Sequence, residues 1–433
     1  MNIALNSPSA RDIAHHIHPQ TDLVRLKDEG PLLMERGEGI RVIDEDGKAY
    51  IDTVAGLWCA SLGFSSERLA RVAYEQMRRL GYYHTFRQRG NLTSVDLAEK
   101  LLGIAPVPMS KVLFQCSGSE ANDTAIKLVW YYHNAIGKPE KCKIVGRQKG
   151  YHGSTIAAVS LSGKPDMHQD FNLPLPGFLH TDCPHYYRFA EDGESEEDFA
   201  TRMADSLERL ILAEGPETVA AFFAEPVMGG GGALIPPRTY FEKVQAVLAK
   251  YEVLFVADEV ICGFGRTGNM WGSQTFDLKP DMITCAKALS AAFQPISAVM
   301  ISEPIYQAML TESAKVGSFA HGYTHAGHPV ATAVALEALK IYEEEDIVAQ
   351  VRATAPRFQD GLARLGAHPL IGDVKGVGLV CGLEMVADKA TKESFPAETK
   401  LAGRLEAAGK QNGIILRTVG DRIAFSPPLI ISE

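Results

Sequence analysis

No cysteine pair in this chain has Cys-x-x-Cys spacing, and the number of cysteines is odd: Cys59, Cys116, Cys142, Cys183, Cys262, Cys285 and Cys381. This argues against a disulfide framework and for a reducing compartment, with each thiol read as a small buried core residue. No apolar run reaches the ~20 residues needed to cross a bilayer. The N-terminus, MNIALNSPSARDIAHHIHPQ, lacks the apolar centre of a secretory signal, so the expected location is the cytoplasm. Positive charge is in deficit. The formal net charge of −10 argues against nucleic-acid or anionic-membrane partners while leaving room for a local phosphate pocket. No internal repeat and no low-complexity linker is found. His15, His16 and His18 read as a solvated terminal segment, and no metal is expected because the sequence supplies no further ligands close by. The acidic stretch 190–200 reads as a solvated face.

What is present is an ordinary globular composition, 46% hydrophobic and 22% charged, over 433 residues. That length suggests two or three domains with a large core. Short alternating runs flank Asp46-Gly47, which predicts a hairpin. Residues 66–80 have an amphipathic helical pattern. From about residue 110 near-continuous apolar segments appear: 112–115, 143–146, 220–227, 253–260, 282–286 and 296–302. Helical stretches at 119–136, 197–213 and 238–250 separate most of them. Apolar strands alternating with helices predict an α/β fold with a mostly parallel sheet covered on both faces. A long Ala-rich helix (330–344) then leads to a Gly-punctuated α+β tail, in which 376–386 reads as a strand.

Ligands in such sheets sit beyond the carboxyl ends of the strands. Three clusters fall there. In Ser117-Gly118-Ser119-Glu120 a small-residue turn opens a helix. The free first-turn N–H groups can cradle a phosphate, or Ser117 or Ser119 simply caps the helix. In Ala257-Asp258-Glu259 an acid ends an apolar strand. It is suited to hold a proton on a pyridine nitrogen, or to cap a neighbouring turn. Lys287 ends the strand 283–286. A partly dehydrated lysine is neutral near pH 7 and nucleophilic, which a Schiff base to an aldehyde requires; otherwise it snorkels to solvent. The run MGGGGA (228–233) lacks GxGxxG spacing and reads as a flexible loop beside a site.

The order of these clusters resembles one family. ADEVICGFGRTGNMWGSQTFDLKPDMITCAKAL (257–289) is similar to the signature of class III aminotransferases, fold-type I pyridoxal-phosphate enzymes. AGLWCASLGF (55–64), FQCSGSEAND (114–123), KGYHG (149–153), AEPV (224–227), HGYTHAGHPV (321–330) and IAFSPPLI (423–430) follow the family's order over nearly the whole chain. The resemblance implies that Lys287 holds pyridoxal 5'-phosphate covalently and Asp258 pairs with its ring nitrogen. It implies that Gly118 and Ser119 bind the phosphate, that Tyr151, with His152 beside it, stacks on the ring, and that Val260 packs on the opposite face. Thr324 is implied to reach the phosphate of a neighbouring subunit, which requires a homodimer or a dimer of dimers. Within the family the ω-amine:pyruvate group is most similar. That likeness implies a substrate pocket of Trp58, Phe86, Tyr151 and Glu225, with Arg417 taking the substrate carboxylate.

The chain departs from the family at Ala288, where glycine is usual, and at Ser290-Ala291-Ala292-Phe293, where a glycine-aromatic pair is common. It stops at Ser432-Glu433, where members typically begin a last helix, and this reads as a truncated end. The expected architecture is a three-layer large domain (60–325) and a small α+β domain (326–433) joined by the N-terminal segment (1–59). The expected reaction is reversible transfer of an amino group from a primary amine to pyruvate in two halves. An acid-headed donor such as taurine or β-alanine, or an aminomutase or decarboxylase on the same scaffold, are the alternatives.

Overall fold

A computed structural model describes residues 6–432. Strands β1 (Met34–Glu38), β2 (Arg41–Asp44) and β3 (Ala49–Asp52) form an antiparallel meander. Its second turn is the one expected at Asp46-Gly47: Gly47 has φ +82°, and the Asp44 carboxylate accepts the Asp46 and Lys48 N–H groups.

The central sheet has seven strands: β4 (Lys111–Gln115), β5 (Lys143–Arg147), β6 (Phe178–Thr181), β7 (Val219–Ala224), β8 (Leu254–Asp258), β9 (Met282–Cys285) and β10 (Ser297–Ile301). Their order is β4-β10-β9-β8-β7-β5-β6. All neighbours from β9 to β6 are parallel, and β10 alone runs against both of its neighbours. Six strands therefore end at one edge. The α/β, mostly parallel expectation holds. The edge strand β6 is an addition, because FLHT is too short and mixed to stand out in the sequence.

Alternation along the strands divides the core into two layers. Val145, Phe222, Ala224, Phe255, Ala257, Ile283 and Met300 face one side, packed by helices that include Leu92–Ile104, Glu196–Glu214, Tyr240–Lys250 and Pro329–Glu344. Ile144, Ala221, Phe223, Val256, Met282 and Val299 face the other, under Gly118–Ala135 and Glu303–Val316. Helices on both faces bury the sheet completely, which is why its strands read as unbroken apolar runs.

The C-terminal part adds β11 (Ile371–Val377), β12 (Val380–Met385), β13 (Ile414–Ile415), β14 (Arg417–Val419) and β15 (Arg422–Phe425). Strand β13 lies parallel to β3, so residues 51–52 and 414–415 share one sheet. The others form a sheet in the order β11-β12-β15-β14. The single strand expected at 376–386 is corrected: Val377 pairs with Val380 across a two-residue turn. Gly378, at φ +55°, makes that turn and also fits against Arg266 and Thr267, where a Cβ would lie 2.5 Å from backbone atoms.

Candidate active site

The shared edge collects the cluster residues. Ser117 caps the Gly118–Ala135 helix two residues after β4, in a reciprocal box with Glu120. The cap and the cradle are thus not alternatives: the Ser117 side chain takes the Glu120 N–H, and the Gly118 and Ser119 N–H groups stay free of intrahelical partners. A Cβ on Gly118 would lie 3.1 Å from Val260 Cγ1, so the turn fits closely over the residue after the β8 loop. Gly153 crosses the same turn, where a Cβ would come within 2.6 Å of Ser119 Oγ. Ser119 Oγ accepts the Ser154 N–H at 3.0 Å. These small residues sit at a helix N-terminus, whose free N–H groups favour an anion.

Asp258 ends β8 and is 3% exposed. Its Oδ2 accepts from Asn122 Nδ2 at 2.8 Å and lies 2.7 Å from His152 Nδ1, while Oδ1 accepts the Val260 N–H at 3.1 Å. Asn122 also donates to the His152 carbonyl (2.6 Å) and accepts from Thr284 Oγ1 (2.9 Å). An ionised carboxylate only accepts, so His152 carries its proton on Nδ1. Asn122 and Thr284 are missed by the sequence reading. The signal was an amide one turn into the helix, on the face that the periodicity buries. Glu259 points away and caps Gly272 and Ser273.

Lys287 follows β9 by two residues, with φ +48°. Burial pushes its amine below the usual 10.5, opposed by Asp258, Cys59 and Glu225 and assisted by Arg417. The structure thereby brings four distant segments within electrostatic reach of one amine. Glu225 follows β7, is buried, and accepts the N–H groups of Tyr151 (3.1 Å) and Gly229 (3.0 Å). Burial raises its carboxyl, and the His152 ring opposes the rise. The glycine loop is shaped to this site: a Cβ on Gly230 would lie 2.4 Å from Tyr151 Cβ. Trp58, 5% exposed, packs with Val227, Ile261 and Ala424.

Phe86 and Thr324 are elsewhere on the chain surface. With Tyr82, His84, Arg87 and Arg89 they line a cavity of 470 Å³, and Tyr82 donates to the Thr324 carbonyl at 2.9 Å. Neither Lys287 nor Trp58 lines it. Phe86 is 41% exposed, and Leu57, Tyr74, Met77, Leu92 and Val95 are exposed as well. The expectation that no ligand stands near the N-terminal histidines is also corrected: the Asp12 carboxylate lies 3.1 Å from His16 Nδ1 and 2.8 Å from His18 Nε2.

The helix N-terminus, the buried Asp258 and the Lys287 amine fit pyridoxal phosphate: N–H donors for phosphate, an acid for the ring nitrogen, an amine for the aldehyde. Comparison with known proteins agrees. The model of the family described as "Aminotransferase class-III" matches residues 25–433. Gamma-aminobutyrate transaminase 1, mitochondrial, of Oryza sativa subsp. indica is 53% identical over 406 residues, covering 94% of this chain and 79% of that protein. The omega transaminase from Pseudomonas jessenii in complex with PMP superposes with a TM-score of 0.97 at 51% identity, covering 99% of this chain and 94% of that one. Its thermostable variant W58M/F86L/R417L, engineered for asymmetric synthesis of enantiopure bulky amines, gives 0.97 at 50% identity, covering 99% and 95%.

Proposed function

Since this chain belongs to the class III aminotransferases and uses pyridoxal phosphate to transfer amino groups, we propose that it moves an amino group from a primary ω-amine to pyruvate. The single observation that carries this reading is the strand edge where Asn122 and His152 hold the Asp258 carboxylate and Lys287 follows β9, with the Arg417 charge among those that act on the Lys287 amine. A guanidinium there offers a planar fork for a keto-acid carboxylate. Residues of the same type and number as Trp58, Phe86 and Arg417 are those exchanged in the Pseudomonas variant made for bulky amines.

When bound, the cofactor supplies an aldehyde carbon that carries the amino group and a ring that takes up negative charge. The chain does the rest. Lys287 holds the cofactor covalently. Its amine, whose proton affinity burial lowers, would move the proton at the donor's carbon. Asp258 keeps a proton on the ring nitrogen, and Asn122 and His152 fix the carboxylate for that contact. Gly118 and Ser119 hold the phosphate from the helix N-terminus, and Thr324 of the partner subunit completes its shell. Tyr151 and Val260 enclose the ring. Trp58, with Phe86 of the partner subunit, forms the apolar wall for the amine. Glu225 anchors Tyr151 and the glycine loop beneath that wall.

Phe86 and Thr324 line one cavity in which Lys287 takes no part, and a two-fold dimer that completes each site from two chains would give them a place in the site. The exposed apolar residues 57–95 supply a surface for it. Seven unpaired thiols support a reducing compartment, for which we take the cytoplasm. The relatives named gamma-aminobutyrate transaminases favour a second reading, a donor amine with an acid head. A panel of 1-phenylethylamine, an alkyl amine, β-alanine, taurine and γ-aminobutyrate, each with pyruvate and read as alanine, decides between them. No alanine from any donor overturns both.

A further inference from the structure

Arg422 is 4% exposed and sits in β15 opposite Val419 of β14, the strand that begins with Arg417. Strand β14 is the outermost of its sheet, with β15 as its neighbour. Wherever β15 is held, Arg417 is held.

Arg422 ties β15 to the glycine loop. Its Nε donates to the Gly232 carbonyl at 2.8 Å. Its Nη1 donates to Glu384 Oε2 at 2.6 Å and to His185 Nε2 at 3.1 Å. Burial, then the Arg422 charge, depresses His185 to about 2, so its ring is neutral and accepts. Arg188 binds the other oxygen of Glu384. Two glycines are shaped around this guanidinium. A Cβ on Gly232, which has φ +97°, would lie 2.9 Å from Arg422 Cδ. A Cβ on Gly382 would lie 2.2 Å from Arg422 Nη2 and 2.5 Å from the Gly232 carbonyl oxygen. The other end of the same loop carries the Gly229 bond to Glu225 and the Gly230 contact with Tyr151.

We infer that Arg422 is a positioning residue: through Gly232 it sets the distance between Arg417 on β14 and the Tyr151–Glu225 platform, and so governs how the keto-acid carboxylate is received. The inference rests on Arg417 as the carboxylate partner. A buried ion pair is weak support for stability when a well-packed apolar group can replace it. A planar fork reaching a carboxylate and a carbonyl at once gives instead a defined geometry.

Arg422→Lys is the test. It retains a cation beside Glu384 and gives up the fork that also reaches Gly232. Single-turnover kinetics of purified holoenzyme are measured with pyruvate for one half and 1-phenylethylamine for the other. Half-saturation for pyruvate rises roughly five- to thirty-fold, while its limiting rate and the amine half-reaction stay within about twofold. In the Arg417→Ala background the same change adds at most about twofold, since both act through one contact. If Arg417→Ala is selective for pyruvate but Arg422→Lys affects both halves equally, or neither, this inference is overturned and the Arg417 reading stands. If Arg417→Ala itself affects both halves equally, the two fall together. Should Arg422→Lys not yield holoenzyme, Gly382→Ala, which displaces the guanidinium and removes no charge, is read by the same criteria.

Discussion

His152 Nδ1 meets Asp258 Oδ2 at 2.7 Å, and the other ring nitrogen of His152, also buried, has no hydrogen-bond partner among the described residues. The ring serves Asp258 with one face of its chemistry only. Together with Asn122 it orients a carboxylate that strand β8 delivers to the site edge. Asp258→Asn preserves the shape and removes the charge. An anion beside the ring nitrogen raises its proton affinity roughly ten- to a thousand-fold. The variant is expected to bind cofactor and to slow both half-reactions by about that range. Half-reaction rates equal to those of the unaltered enzyme would refute the role.

Lys287→Ala is expected to lose the covalent link and nearly all turnover, because one amine serves attachment and proton transfer. A borohydride-reducible link at normal stoichiometry in that variant would show the assignment to be wrong. The pH dependence has a definite sign. Burial lowers the amine below 10.5, so the neutral, reactive form is present above the lowered value and is lost as pH falls through it. Covalent cofactor uptake by apoenzyme should therefore rise with pH at a midpoint below that of an ordinary lysine. The unfolded chain holds this proton up to about 10.5, so Lys287 makes apoenzyme stability climb with pH across the same window. A midpoint at 10.5 would show a solvated lysine.

Completion of each site by two chains predicts complementation. Lys287→Ala chains lack their own amine and keep the partner-side surface of Phe86 and Thr324. Thr324→Asp chains keep the amine and present a repelling charge to the partner's phosphate. Co-refolded in equal amounts, the two inactive variants are expected to recover about a quarter of full activity, since random pairing in a two-fold dimer makes half the dimers mixed, each with one intact site. Light scattering of the holoenzyme should give twice the chain mass or a multiple. Recovery at the background level would place Thr324 outside the partner's site.

Arg417→Ala should weaken pyruvate and alanine turnover and spare a simple aryl or alkyl amine. Losing a charge-assisted partner for a buried carboxylate costs roughly 2–5 kcal/mol for the acid substrate. The amine half-reaction, read in single turnover, stays near normal. Equal losses would mean that the carboxylate binds elsewhere.

Ala291 and Ala292 follow the lysine with φ of +50° and +72°, a left-handed conformation that a Cβ disfavours. These lie in the segment where a glycine-aromatic pair is common in the family. Ala292→Gly should stabilise the protein by about 0.5–1 kcal/mol, the relief of that strain less the added chain entropy of glycine. Denaturation midpoints of the two proteins measure it. A lower midpoint for the glycine variant would show that local packing outweighs strain there.

Local patterns determined much of this protein from the sequence alone. Apolar strands buried on both faces read as continuous runs, and small residues before a helix mark a close approach. Lys287 and Asp258 stand at strand ends because chain order and strand length put them there. Other features depend on contacts between segments far apart. The reversal of β10 is a matter of pairing partners, since SAVMI is as apolar as the parallel strands of the same sheet. The turn at Gly378 is hidden because apolar residues flank it, Val377 before and Leu379-Val380 after. Asn122 acquires its role only when β5, β8 and β9 bring His152, Asp258 and Thr284 around it. Phe86 lines a cavity with Thr324, a residue far along the chain, because which side chains share a cavity is set by packing and not by the motif that contains them. Arg422 follows Arg417 by five residues and attracts no notice in the sequence. Only the tertiary structure closes Gly232 and Gly382 around it, because the acceptors that give the guanidinium its place, the Gly232 carbonyl and the Glu384 and His185 side chains, lie more than 30 residues distant.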